Sequence, residues 1–264
     1  MDTSVITAVM QQGQWLLSLY VFAGALAVFI LGKYLLLLVP ALNATRQLNV
    51  AAARERVARS YYPPIQNRSK RWGLLTQLAV FILIVPFNVT AAAQPWWKVL
   101  LDIVIILMVY DFFYYLVHRF LFHDGPLGAP LKWVHAVHHQ MKNPCRMDSA
   151  YLHPIETCLG IALYGVTFAA LASVLGDFHV ITAITTFVAF SAINQHNHDL
   201  MEVDHFPFKY LKYMSDMHHV HHARFIGGNF ATISLLYDWL FGTYDTGNGW
   251  GKHKRSPAPQ TEAL

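Results

Sequence analysis

The sequence predicts an all-α integral membrane protein: four to five transmembrane helices carrying a cytoplasmic, histidine-rich helical cap. Three observations support this. Hydrophobic residues make up 55% of the 264 and charged residues 13%, far from the balance of a soluble domain. Apolar runs close to the roughly 20 residues that cross a bilayer recur along the chain. Twelve of the 15 histidines gather in short motifs beside the ends of those runs, where imidazole meets either solvent or a metal.

The elements follow in order. No cleavable leader is expected, because Asp2 stands at the N-terminus without a basic flank and the first apolar run is too long for a signal sequence. Residues 15–38, WLLSLYVFAGALAVFILGKYLLLL, hold one charge, Lys33, and form the first span. Residues 43–72 carry Arg46, Arg54, Arg56, Arg59, Arg68, Lys70 and Arg71 against Glu55 alone, which marks a basic cytoplasmic loop. Residues 73–91 cross back, the AQPWW turn at 93–97 sets tryptophans at the far interface, and 98–118 return. The apolar run 157–195, broken by Asp177 and His179, reads as two further spans joined by an outer turn.

With this topology HRFLFH (118–123), HAVHH (135–139), HPIE (153–156), QHNH (195–198) and HHVHH (218–222) fall on one side of the membrane. The chain divides into an N-terminal transmembrane region, 1–110, a histidine-bearing catalytic region, 111–244, and a polar tail, 245–264, disordered from about Lys252. Cys145 and Cys158 are too few for a disulfide framework and lack CxxC spacing. The formal charge of +4 is concentrated rather than spread as a stripe, so no nucleic-acid partner is expected.

In HAVHH, histidines at i, i+3 and i+4 fall within an arc of about 100° on a helix, so His135, His138 and His139 point one way. HHVHH repeats this with His218, His221 and His222, leaving His219 outside the arc. Two triplets and a pair exceed what one ion accepts, and two metals are implied. His118 and His123, five apart, serve together only if their helix ends or distorts between them, and Asp124-Gly125-Pro126 follows at once. In QHNH, His196 and His198 point apart; His196 is favoured because its level matches His118, and His198 stays open. His153 either binds metal or holds the cap together with Glu156.

Asp111, Tyr114, Tyr115 and His118 share one helix face, with Asp111 about 10 Å deeper than His118 at 1.5 Å per residue. A buried carboxylate there needs a partner, and a ligand imidazole's other nitrogen or an arginine would provide one. Asp111 and Tyr115 are therefore the candidate catalytic side chains. An all-imidazole set suits iron, zinc and copper alike. A site at the membrane surface is placed to receive a lipid chain, whose unactivated C–H bonds need an oxidant that iron with dioxygen supplies and redox-silent zinc does not.

From Asp111 to Tyr244, through DFFYYLVHRFLFH, WVHAVHH, HPIE, QHNH, HHVHHARFIGGNFA and LLYDWLFGTY, the chain resembles the fatty acid hydroxylase and sterol desaturase superfamily of membrane di-iron oxygenases. The resemblance implies two iron ions on His118, His123, His135, His138, His139, His218, His221 and His222, with His196 and His198 as the intermediate histidines; zinc is possible in purified protein. Two spacings depart from the family's usual pattern: four residues separate the first pair, and HxH stands where some members have HxxxH. The implied activity is hydroxylation of a lipid or sterol-like substrate with dioxygen, or desaturation on the same site. Asn229, Trp239 and Gly242 read as structural.

No flavin or nicotinamide motif is seen, so the resemblance implies a separate electron donor, of ferredoxin or cytochrome b5 type with its reductase. The basic 46–71 segment would suit an acidic donor, or anionic lipid. A bacterial inner membrane is favoured over the endoplasmic reticulum. A reading from a different class, a non-catalytic metal-handling membrane protein, would place ligands along a transmembrane path rather than on one face.

Overall fold

The computed structural model describes residues 10–254. The expectations for a leader at residues 1–9 and for the tail from 255 lie outside the described residues. Among the described residues four helices are long and apolar enough to cross a membrane: α1 (Trp15–Leu37), α3 (Tyr62–Leu83), α4 (Trp96–Val117) and α6 (Pro154–Leu175). A fifth apolar helix, α7 (Val180–His196), has 17 residues and reaches about 25 Å at 1.5 Å per residue, short of a hydrocarbon core about 30 Å thick. It packs between α1 and α4. The remaining helices are α2 (Pro40–Val57), α5 (Lys132–His135), α8 (Phe208–Ala223) and α9 (Leu236–Leu240).

The basic segment expected as a loop is helical. Pro40 starts α2, where its missing N–H costs nothing, and Ala41, Thr45, Asn49 and Ala53 form a buried stripe at i, i+4 spacing. Pro63 and Pro64 occupy the first turn of α3, which begins eleven residues before the expected start at 73. The basic residues are thus the outer face of α2 and the entry of α3, not a flexible connection.

The bundle core is aromatic. Val21, Phe81, Tyr110, Tyr164, Phe187 and Phe190 are buried together, with Tyr164 and Phe190 stacked at 4.9 Å. Thr186 returns its hydroxyl hydrogen bond to the Thr182 carbonyl at 2.9 Å and meets the Tyr164 hydroxyl at 2.9 Å, which pairs these polar atoms within the apolar interior. Leu16, Leu31, Leu35, Val104 and Val174 face outward, as helices bordered by lipid require. Away from the clustered histidines, the connections α3–α4 and α6–α7 are tied by two short parallel strands, β1 (Val89–Thr90) and β2 (Phe178–His179). The sequence reading contained no strand.

The polar tail expected from residue 245 is instead part of the cap as far as Lys254. Asp245 Oδ1 accepts from Gly247 and Gly249 N–H at 2.8 and 2.7 Å. Trp250 packs edge-on against Phe230 at 5.3 Å and donates to the Ile226 carbonyl at 3.0 Å.

Gly165 marks the close approach of α6 to α3: a Cβ there would meet Val80 and Ile84 side chains at 2.9 Å. Gly165→Leu is expected to cost about 1–3 kcal/mol by overpacking and to lower the thermal midpoint in detergent. Gly32→Leu, where an added Cβ meets nothing within 4 Å, serves as the control and is expected to leave it unchanged.

Candidate metal centre

The last turn of α4 changes character. His118–His123 form a π turn, whose hydrogen bonds run i to i+5 so that residues five apart stand one turn apart. The two imidazoles that an α-helix would splay by roughly 140° are brought to ring centroids 5.0 Å apart. His135 ends α5 and His138 and His139 begin a 3-10 turn. His198 follows α7 by two residues, and His218, His221 and His222 lie in the last turns of α8.

These side chains form two groups. His118, His123, His135, His139 and His221 each offer one ring nitrogen, all within 4.8 Å of one another, and His138, His198, His218 and His222 do the same. Each triplet is divided rather than kept whole. The i, i+4 pair His135/His139 joins the first group while His138 joins the second; His218/His222 joins the second while His221 joins the first. The groups therefore adjoin, with the His139 and His222 rings stacked at 4.7 Å.

The proton on each ring follows from its partner. The Nδ1 atoms of His118, His123 and His221 donate to the carbonyls of Phe230, Phe225 and Gly228, each at 2.7 Å. Those of His138, His198 and His222 donate to Tyr151, Asn194 and Met141 at 3.2, 2.8 and 3.0 Å. His135 donates to Glu156 Oε1 at 2.7 Å. A carbonyl can only accept, so these rings hold their proton on Nδ1 and turn a bare lone pair inward on Nε2.

The inward nitrogens crowd together. His118–His135, His139–His221 and His138–His198 approach at 3.0 Å between Nε2 atoms, with His198–His218 and His218–His222 at 3.1 and 3.2 Å. In the His118–His135 and His138–His198 pairs both rings carry their proton on Nδ1, so two lone pairs face each other and cannot hydrogen bond. His123 Nε2 is buried with no partner among the described residues. One cation per group satisfies every one of these atoms, and the donor set therefore fits metal.

Protonation is suppressed by the same surroundings. Burial pushes the imidazoles of His198 and His221 down to about 4 and holds His135, His138, His139, His218 and His222 well below the ordinary value, each further lowered by neighbouring imidazoles. They are neutral at pH 7, the form in which an imidazole can bind a metal.

His196 departs from expectation. It lies outside both groups, with Nδ1 on Asp199 at 3.0 Å and Nε2 on the Leu211 carbonyl at 2.9 Å; the turn after α7 carries His198 inward instead. His153 caps α6, accepting from Ile155 N–H at 3.2 Å, and Glu156 is the carboxylate behind a candidate ligand. Asp111 does not take that part. Its carboxylate accepts from the N–H groups of Thr232, Ile233 and Ser234 at 2.8, 2.8 and 3.0 Å and from the Ser234 hydroxyl at 2.8 Å. The Tyr115 hydroxyl accepts from Arg119 at 2.7 Å and Thr243 at 3.2 Å, which ties it into the cap.

Sequence reasoning took Asn229 as structural but did not see that the loop 225–234 supports the histidines. It supplies three of the carbonyls just described, and Asp238 secures it through Phe230 and Ala231 N–H at 2.8 Å each. Asn229, at a left-handed φ of 65° that asparagine tolerates, spans from the Met217 carbonyl to Asp245. The GGN run was the available signal for an unusual turn.

A family model described as fatty acid hydroxylase matches residues 103–243. Methylsterol monooxygenase erg25B of Aspergillus fumigatus is 29% identical over 182 residues, 64% of this chain and 57% of that protein. Very-long-chain aldehyde decarbonylase GL1-11 of Oryza sativa subsp. japonica is 28% identical over 167 residues, 56% of this chain and 54% of that protein. Methylsterol monooxygenase 1 of Rattus norvegicus is 31% identical over 140 residues, 52% of this chain and 44% of that protein. The chain spans about half the length of the curated relatives it matches. No solved structure matches it.

Two outcomes are expected. An imidazole whose pKa drops from 6.5 to about 4 on folding binds its proton more readily unfolded, so its stability contribution is full above pH 6.5 and is lost as pH falls toward 4. Chelator-stripped protein in detergent should therefore melt at progressively lower temperature from pH 7 to pH 5, and a midpoint that rises over that range contradicts the assignment. Glu156→Leu, which removes the acceptor behind His135, should weaken zinc binding by roughly 10- to 100-fold in competition with a chelator.

Proposed function

This chain belongs to the fatty acid hydroxylase family, and from that premise we propose that it is a membrane-embedded oxygenase that hydroxylates a lipid or sterol-like substrate. The observation that carries the reading is the convergence of nine imidazoles in two adjoining groups at one end of an apolar bundle. Two iron ions, one on His118, His123, His135, His139 and His221 and the other on His138, His198, His218 and His222, would supply the dioxygen activation that an unactivated C–H bond needs. The reaction consumes the substrate, dioxygen, two electrons and two protons, and returns the hydroxylated lipid and water. Zinc suits the same ligands and is expected as a contaminant of purified protein.

The chain's own residues set the substrate class. His118 lies against Tyr114 at 5.4 Å, and Tyr114 continues through Tyr110 into the Tyr164–Phe190 stack. The five-histidine group thus abuts the apolar interior between α4, α6 and α7, which favours a hydrocarbon arriving from the membrane over a soluble metabolite. The names of the relatives, two methylsterol monooxygenases and a very-long-chain aldehyde decarbonylase, support the same class. Ligands gathered at one end, rather than along a path through the bilayer, argue against metal transport.

Electrons are supplied by a separate carrier, of ferredoxin or cytochrome b5 type with its reductase. The exposed Arg46, Arg54 and Arg59 on and beside α2 stand at the cap end, which supports a cytoplasmic active site, in a bacterial inner membrane. The test is lipid mass spectrometry on cells grown under labelled dioxygen. Wild-type protein should add one labelled oxygen atom to a lipid, whereas desaturation would remove two hydrogens. His138→Ala and His221→Ala, one from each group, should each reduce product to background; labelled product retained by both contradicts the proposal.

A further inference from the structure

The two histidine groups are supported by different parts of the chain. The carbonyls behind the first group, those of Phe225, Gly228 and Phe230, belong to a loop secured by Asp111, Asp238 and Asp245. Apart from Asp245, two residues past its end, these lie within the family-matched segment 103–243. The second group leans on residues 141–151: Tyr151 and Met141 carbonyls accept from His138 and His222. That segment, and the 197–200 turn carrying His198, are secured from α2 and α3, outside the match.

Asn49, 5% exposed, is the junction. Its Oδ1 accepts from Arg146 N–H at 2.8 Å and from Leu200 N–H at 3.1 Å, and its Nδ2 donates to the Leu200 and Thr45 carbonyls at 3.0 and 2.8 Å. One amide thereby joins the 146 and 200 backbones, and the Arg146 guanidinium repeats the link by a two-pronged pair with Asp199 at 2.8 and 2.7 Å. Three further side chains hold the same segment. Tyr62 donates to Asp148 at 2.8 Å and stacks on Tyr151 at 4.8 Å. Arg56 donates to the Asn143 carbonyl at 2.9 Å, and Gln66 to that of Met147 at 3.0 Å.

We propose that Asn49 is a positioning residue for the four-histidine site alone, with Tyr62 as its auxiliary, so that the N-terminal region holds one of the two metals in place and the family-matched segment the other. An amide side chain with all four of its hydrogen-bonding positions used on backbone fixes the distance between two turns in a way that an apolar residue of equal volume does not. His138 and His222 take their orientation from carbonyls of the 141–151 segment, while the backbone of His198 sits in the 197–200 turn and its ring donates to Asn194 of α7, so a lost tie shifts three of the four histidines. The five-histidine site has no support from Asn49.

The proposal rests on the reading of the nine histidines as two metal sites, and the experiment separates the two claims. Full-length protein is purified in detergent, stripped with a chelator and titrated with cobalt(II), read by elemental analysis and by the visible spectrum, which differs between four- and five-nitrogen coordination. Wild type should bind two ions per chain, and fewer would overturn the metal reading itself. Asn49→Leu should bind one, with the spectrum that His222→Ala leaves behind. Two ions in Asn49→Leu, or none, overturns the positioning role. Should Asn49→Leu fail to fold, Tyr62→Phe, which removes only the hydroxyl on Asp148, decides. It should raise the dissociation constant of the four-histidine ion about tenfold with the other unchanged; equal weakening of both, or no change, overturns the proposal.

Discussion

Seven of the nine clustered histidines donate a hydrogen bond from Nδ1 to a fixed acceptor, six to backbone carbonyls and one to Glu156. That single constraint decides the rest. It leaves the other ring nitrogen of each as a lone-pair donor, makes the 3.0 Å approaches of His118 to His135 and of His138 to His198 repulsive unless a cation lies between them, and requires each carbonyl to be held still. A backbone carbonyl is held still by what grips the neighbouring amides. Hence the cap's buried carboxylates, Asp111, Asp148, Asp238 and Asp245, each accept backbone N–H groups rather than pointing at the histidines.

The membrane helices serve the same requirement. α4 brings Asp111 and His118 on one rod, α6 starts with Glu156, and α7 ends just before His198. The bundle's aromatic core keeps those three ends in fixed relation, while the short strand pair at the far side fixes the opposite turns. Rigidity at the cap is what allows neutral imidazoles to be gathered against their mutual repulsion, because a flexible set would turn its lone pairs to solvent.

Much of this was legible from residue spacing. The apolar runs gave four to five spans, of which four are helices long and apolar enough to cross, and HxxHH twice over gave histidine-rich helix ends. The five-residue gap between His118 and His123 demanded a local distortion, and the π turn is that distortion. What spacing could not show was how turns aim side chains. The i, i+3, i+4 rule put three imidazoles in one arc, but the arc faces two groups at once, so each triplet divides. His196 was preferred on helix level, whereas the turn after α7 rotates His198 inward and leaves His196 to Asp199. Asp111 was correctly seen as needing a partner, but backbone amides more than a hundred residues away carry no sequence signal. Charge alone made 43–72 look like a loop; the stripe Ala41, Thr45, Asn49, Ala53 that makes it a helix is small and polar, and hides from a search for apolar periodicity.

The most direct measurement of the central claim is iron content with Mössbauer spectroscopy on protein extracted gently from iron-replete cells. Two irons per chain, magnetically coupled to each other, are the result this account predicts. Folded protein that oxidises lipid while holding no metal would contradict it.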